Sequence, residues 1–373
     1  MSALTGSLLP PLGLNEAEWA FVARTRARRP DQLHAYLAAT PSLARSAPDV
    51  RRAWLMAQLR PFLSAAYRAE RTRPVPSYGG GFAPRDAAER PAGPPADWPA
   101  LGKPVSLRDQ QDAVDLLGNS RALWPVRDQG ARGMCVPFAA NACLEWRSLA
   151  PGAGTRRLSS SFLHQRTAAL PGGAGATALG LKLGGAAAAM AQDGVCRAAI
   201  WSDSMALDAQ PSAAAFADAA PRRTAGVAYW DIGPWEKARL PQRWKGAART
   251  VLALLLAQRP VAITIPQFRD PLQPADALNN WTDPDARLTG EVLERLDEWD
   301  RSGGHAVCLL GFQPDPLEGL GGWFLIRNSW GERWATAKPD TDDKVFPIVP
   351  ARGYGVISAT QIEECASEIY ALA

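Results

Sequence analysis

Apolar and polar positions alternate with two different periods in this chain, and the change from one to the other divides it. Between residues 14 and 72 apolar side chains recur at helical spacing. Asn15 followed by Glu18 has the form of a capping box, and Leu14 with Trp19 is placed for a hydrophobic staple. Trp19, Phe21 and Val22 begin an apolar face. A second helix is predicted across Gln32 to Leu37, stopped by Pro41. A third begins near Pro48 and carries Trp54, Leu55, Leu59, Phe62 and Leu63, with Pro61 expected to divide it. From residue 135 to about 205 helical spacing returns, in a helix from Cys135, another near Ser159 to Ala169 and an Ala-rich one across Ala178 to Gln192. Beyond about 250 short apolar runs read as strands: 261–265, 306–312, 323–327 and 355–358. A helical half followed by a β-rich half predicts an α+β fold with a cleft between the halves.

Between the N-terminal helices and this body, residues 73–104 are dense in Pro and Gly, the composition of an extended linker. The predicted organisation is therefore a helical module at 1–72, a linker at 73–104 and a main domain at 105–373. Charge follows the same division. Residues 1–72 hold ten arginines against five carboxylates, a local balance of +5, which leaves the rest of the chain at −1 within a total of +4. A solvated helix surface is the expectation for those arginines. Nucleic-acid binding is not expected, because no aromatic residues are interleaved to stack bases.

At 47% hydrophobic and 21% charged residues the composition is that of a globular protein. No apolar run approaches the length of a membrane span. The N-terminus lacks a basic region before its short apolar stretch, so no signal peptide is expected. Five widely spaced cysteines without a Cys-x-x-Cys pair point to free thiols in a reducing compartment rather than to disulfides or zinc. A cytoplasmic protein without a zinc site is the resulting expectation. The richness in Ala, Arg, Pro and Trp fits a GC-rich bacterial genome.

Four short stretches carry chemistry. Pro-Val-Arg-Asp-Gln-Gly spans 125–130, Gly-Met-Cys spans 133–135, Gly-Gly-His-Ala-Val spans 303–307 and Arg-Asn-Ser-Trp-Gly spans 327–331. Cys135 at the start of a helix gains thiolate stability from the helix N-terminus. His305, behind two glycines at the predicted entrance of a strand, is the candidate base, with His34 and His164 read as structural. Asn328, on the neighbouring strand, is placed to accept an imidazole N–H and orient the ring. Trp330 is apolar enough to screen that bond from water. Gln129 and the backbone N–H of Cys135 are candidate oxyanion donors. The other cysteines, 143, 196, 308 and 365, read as small buried hydrophobes.

These stretches, in this order, resemble the signature of papain-like cysteine peptidases, the cathepsin family, over about residues 105–365. Leu158-Ser159-Ser160, Asp193-Gly194-Val195-Cys196 with Trp201-Ser-Asp, and Gly353-Tyr354-Gly355 are smaller echoes. The resemblance implies a two-domain fold, a helical left domain and an antiparallel, barrel-like right domain, with an N-terminal helical extension. It further implies endopeptidase activity through a thioacyl-enzyme on Cys135, with Gly133, Trp330 and, for the family's backbone-binding glycine, Gly175 at the substrate. Protein or peptide substrates and no cofactor follow from it, and the 1–72 module is expected to be an inhibitory pro-segment, a partner-recruiting adaptor or simply packed on the core. The alternatives to hydrolysis are acyl transfer to an amine and a catalytically inactive binding module. Three departures stand out. Arg132 takes the place of the family's half-cystine, Met134 of a small residue and Val136 of the usual Trp. His305 also lies 170 residues beyond Cys135, more than the family's usual separation, which places insertions near 207–248 and 270–300.

Overall fold

The computed structural model describes residues 9–74, 106–118, 124–147, 157–170, 176–177, 180–224, 227–231, 246–274, 278–337 and 349–372. The predicted linker therefore lies, but for its first two residues, outside the described residues.

The N-terminal helices are α1 (Glu16–Thr25), α2 (Pro30–Ala39), α3 (Leu43–Ser46), α4 (Arg52–Leu59) and α5 (Ala65–Thr72). The capping box forms as the sequence predicts: the Glu18 N–H donates to Asn15 Oδ1 and the Asn15 N–H to Glu18 Oε2. The staple is less well served, since Trp19 is 45% exposed while Phe21, Val22 and Glu18 are buried. Pro61 divides the third predicted helix, in a 3₁₀ turn at Arg60–Phe62 between α4 and α5.

The body is built on β1 (Val114–Asp115), β4 (Val227–Asp231), β5 (Val261–Arg269), β6 (Asp300–Pro314), β7 (Gly322–Arg327), β8 (Tyr354–Ser358) and β9 (Glu368–Leu372). They form one antiparallel sheet in the order β4-β9-β5-β6-β7-β8, with β1 added to β6. A separate two-residue hairpin is made by β2 (Ala176–Thr177) and β3 (Gly180–Leu181).

Both faces of the sheet are covered, which explains why its strands read as continuous apolar runs. Val261, Ile263, Val307, Leu309, Phe324 and Ile326 enter one core, together with side chains of the N-terminal helices, α10 (Ala247–Leu256) and α12 (Ala359–Cys365). The alternate residues Ala262, Ala306, Cys308, Leu310, Trp323 and Leu325 enter a second core, against α6 (Cys135–Trp146), α7 (Ser160–Ala168) and α8 (Leu183–Gln192). A two-residue period thus sends neighbouring side chains to different halves of the molecule.

On α6 the buried side chains include Phe138 and Ala142, with Trp146 partly buried. The two expected insertions hold structure of their own: α9 (Ala213–Ala219) and β4 in one, and α11 (Pro284–Thr289) in the other. The second insertion also covers the β8 edge, where the Val292 N–H donates to the Val356 carbonyl and the Val356 N–H to that of Gly290. Gly290 adopts a φ of +77°, and a Cβ there would stand 2.8 Å from the Ala335 Cβ and the Gly355 Cα.

The N-terminal arginines divide: Arg45, Arg51, Arg60, Arg68 and Arg71 are exposed, as expected of a solvated surface, whereas four others face the body. Arg24 pairs with Glu298 at 2.7 Å, Arg26 with Glu294 at 3.2 Å, and Arg28 with Asp315 at 2.6 Å. Arg29 pairs with both Asp285 at 3.1 Å and Glu291 at 2.8 Å. The charge of these four is directed towards the body because the surface they cover there is acidic. Leu33, Tyr36, Leu37, Leu43, Leu55, Leu59 and Tyr67 are buried beside these pairs, each contributing roughly 1.5–3 kcal/mol of burial.

Candidate active site

Cys135 is the first residue of α6, as the sequence predicts, and its side chain is fully buried. Met134 precedes it without a side-chain cap, so the first-turn N–H groups of α6 define a positive helix end at the thiol. Gly130 turns the approach loop with a φ of +59°. Gly133 is half-buried on that loop, and Gly175 lies outside the described residues.

The loop is fastened to the segment that follows β7. Asp128 and Trp330 form an antiparallel bridge, and the Gln129 N–H donates to the Ser329 carbonyl at 2.8 Å. The Gln129 side chain is held at both ends, its Nε2 donating to the Arg132 carbonyl at 2.7 Å and its Oε1 accepting from Ser329 Oγ at 2.6 Å. Gly331 takes a φ of +66°, and a Cβ there would meet Asp128 at 3.0 Å. These contacts bring the glutamine stretch and the asparagine stretch into one unit.

His305 lies within β6 rather than at its entrance. The strand starts five residues earlier because β5 extends past a bulge at Gln267/Phe268 to pair with 300 and 301. A Cβ on Gly303 would come within 2.8 Å of Gln267 Oε1, so this glycine serves close cross-strand packing. His305 Nε2 lies 2.8 Å from Asn328 Oδ1, which makes Nε2 the protonated nitrogen because a carbonyl oxygen only accepts. Nδ1, the other ring nitrogen, is buried and has no hydrogen-bond partner among the described residues. Trp330 stacks on the imidazole at 4.3 Å between ring centroids, screening the bond to Asn328.

The sequence reading missed Trp281, from the second insertion. Its ring meets His305 edge-on at 5.1 Å and stacks on Trp334 at 6.3 Å. Only a Trp after two asparagines marks it in the sequence, a signal too weak to place it at the site.

Burial pushes the His305 pKa down to about 4, against the smaller upward effect of the Asn328 hydrogen bond. Burial thus favours the neutral imidazole. His34 and His164 are likewise lowered to about 4 by burial. His34 Nδ1 lies 3.2 Å from Tyr67 Oη in the N-terminal core, a structural setting.

At the N-terminus of α6, Arg132 has a definite structural role. Its guanidinium donates to the carbonyls of Asp203 and Met205, tying the approach loop to the segment after α8. Asp203 accepts from the Ser160 N–H at 2.7 Å at the start of α7 and pairs with Arg127. No disulfide links any of the five cysteines, and no cluster of metal-ligating side chains occurs among the described residues.

No protein-family profile matches the chain, and no curated protein matches it in sequence. Its fold is similar to the crystal structure of xylellain, a cysteine protease from Xylella fastidiosa, at 17% identity and a TM-score of 0.53, covering 80% of this chain and 97% of that one. A looser likeness joins it to bromelain from Ananas comosus in complex with the E64 inhibitor, at 16% identity and a TM-score of 0.43 over 70% of this chain and 98% of that one. Procathepsin B from Trypanosoma congolense gives 12% identity and a TM-score of 0.46 over 83% and 88%. The fold is that of the papain-like cysteine proteases, α+β with an antiparallel sheet. No helix among the described residues is long and apolar enough to cross a membrane.

Proposed function

We propose that the chain is a cysteine endopeptidase whose catalytic domain occupies residues 105–373, with Cys135 as nucleophile, His305 as base and acid, and Asn328 as the group orienting the imidazole. The observation that carries this reading is the 2.8 Å contact of His305 Nε2 with Asn328 Oδ1 beneath Trp330. That bond fixes the tautomer with its lone pair on Nδ1, the nitrogen left to receive the thiol proton. The thiolate then attacks the substrate carbonyl, and its negative charge passes to the carbonyl oxygen. The first-turn N–H of Cys135 and the Gln129 amide are the donors assigned to that oxyanion. Imidazolium Nδ1–H protonates the departing amine, and water hydrolyses the thioacyl group by the reverse transfers. Gly133 and Trp330 flank this path on the approach loop and after β7, and fit roles at the substrate; Gly175 is assigned there by its resemblance alone. Peptides or unfolded proteins are the proposed substrates, and the absence of disulfides fits a reducing, cytoplasmic setting.

A peptide epoxide that alkylates active thiols tests the assignment. Wild-type protein should gain one label at Cys135, found by peptide mass spectrometry, and Cys135→Ala none; undiminished labelling of that variant would sink it. Full burial of both Cys135 and His305 favours a second reading, an inactive scaffold that only binds. Wild-type protein that resists the label and cleaves no peptide from a library would establish it.

A further inference from the structure

The contacts between the N-terminal helices and the second insertion do not end at the surface; they run to the catalytic histidine. Arg29 grips Asp285 with both terminal nitrogens at 3.1 Å and Glu291 at 2.8 Å, and Gln32 Nε2 donates to the other Glu291 oxygen at 2.6 Å. Arg287, from α11, donates to the Glu70 carbonyl of α5 at 2.8 Å. The Glu294 N–H donates to Tyr36 Oη at 2.8 Å, and Tyr36 stacks on Trp299. Asp285, Arg287, Glu291 and Trp299 are buried, and Glu294 is half-buried. Two residues before Asp283, which caps α11, stands Trp281. Its carbonyl accepts from Trp334 Nε1 at 2.9 Å, and the preceding Asn280 is tied to Phe268 at 2.8 Å and Leu293 at 3.0 Å. Trp281 is fully buried, and its ring and that of Trp330 meet His305 from two directions.

A segment built to be shed leaves behind a surface that tolerates water. Here its loss would strip Arg29 from Asp285 and Glu291 and uncover an apolar core that α1, α2, α4 and α5 share with Trp281, Leu293, Trp299, Trp330 and Trp334. We infer that helices α1–α5 are a permanent part of the catalytic unit and that Trp281, fixed through Arg29 and Gln32, is a positioning residue for the His305 imidazole. The inference rests on the reading of His305 as the base. Its mechanical content is simple: Trp330 fixes the plane of the ring, Trp281 closes off its sideways swing, and the N-terminal helices hold Trp281 where it is.

The test uses full-length protein carrying a specific protease recognition sequence between residues 75 and 105. After cutting, the N-terminal fragment should co-elute with the rest of the chain on dilution to nanomolar concentration. In uncut protein, Trp281→Ala and Arg29→Gln should slow epoxide labelling of Cys135 at least tenfold and move its acid limb up towards an ordinary imidazole. Trp281→Phe and Arg29→Lys, milder changes for which folding is checked by cooperative unfolding, should keep more of the rate than their partners. Dissociation of the fragment, with the remaining chain labelled as fast or faster, would overturn the permanent role. Trp281→Ala with a wild-type acid limb would overturn the positioning role. If even wild-type protein takes no label, the peptidase reading falls, and with it the positioning role, while co-elution still decides whether the helices are permanent.

Discussion

His305 sets the acid limit of the proposed chemistry. An exposed imidazole titrates near 6.5, but burial lowers this one to about 4. Its neutral form, needed to accept the thiol proton, persists down to that value. Labelling of Cys135 should therefore hold its neutral-pH rate to about pH 5 and fall as the imidazole protonates near pH 4; a limb at 6.5 or above would contradict the buried, neutral state. Asn328 favours the charged ring through its hydrogen bond, so Asn328→Ala should move the limb to still lower pH. It should also cut the rate by roughly ten- to a hundredfold by freeing the ring, less than the roughly hundred- to ten-thousandfold typical of the acid–base group itself. A variant with wild-type rate and profile would remove Asn328 from the mechanism. Gln129 is anchored at both ends of its side chain. Gln129→Ala is accordingly expected to lower kcat by on the order of a hundredfold, the scale of a lost oxyanion donor, and steady-state kinetics showing only a raised KM would speak against that role.

At the scale of elements, α6 depends on one buried cation. Arg127 lies between Glu145 at 2.7 Å and Asp203, with its guanidinium 4.6 Å from the Phe138 ring, and its side chain is only 6% exposed. Arg127→Met should cost about 3 kcal/mol in urea unfolding, because Glu145 and Asp203 both lose a buried cationic partner; a loss below about 1 kcal/mol would show the network to be dispensable. The elements legible in the sequence share a local cause. The Asn15–Glu18 box, Cys135 at a helix start and the apolar runs of β5 to β8 are each decided by neighbours in the chain. What escaped notice is decided at a distance. β9, Glu368–Leu372, is five residues long and gains its identity from pairing with both β5 and β4. The apolar run of α10, Ala247–Leu256, lies in a region otherwise read as strands, and short apolar runs do not separate the two by period alone. The site showed the same limit. Its four stretches were readable because glycines, Cys, His and Asn cluster there, whereas Trp281 reaches His305 only through tertiary packing. The position of His305 inside β6 followed from a bulge in its partner strand, which sequence does not announce.

Over the whole molecule, the surface between the N-terminal helices and the body carries more acid than base in its interior, and this shapes its response to pH. Asp283 is fully buried, and burial raises its pKa to about 7; Asp285 nearby adds to the rise, while the α11 cap hydrogen bond, Arg287 and Arg71 oppose it. Burial raises Glu294 to about 7 as well, against Arg26. Each of these carboxyls holds its proton more tightly in the folded state than the 3.8 or 4.5 of an unfolded chain. Between those values and pH 7 the folded state binds more protons, so their contribution to stability is fullest at low pH and declines as pH rises through 7. The three histidines, lowered to about 4, act in the opposite sense between pH 4 and 6.5. Opposed slopes of this kind flatten the stability curve of the wild-type protein across mildly acidic pH, which hides the acid contribution until one group is removed. Asp283→Asn removes it while keeping a side-chain oxygen for the Asp285 N–H, which Asp283 now accepts at 2.9 Å. The variant should match or exceed the wild type at pH 5, and its advantage should grow by on the order of 2 kcal/mol by pH 7.5, read as the difference between urea midpoints at the two pH values. A constant difference would mean that Asp283 is ionised in the fold across the whole range, and that Arg287 and Arg71 outweigh its burial.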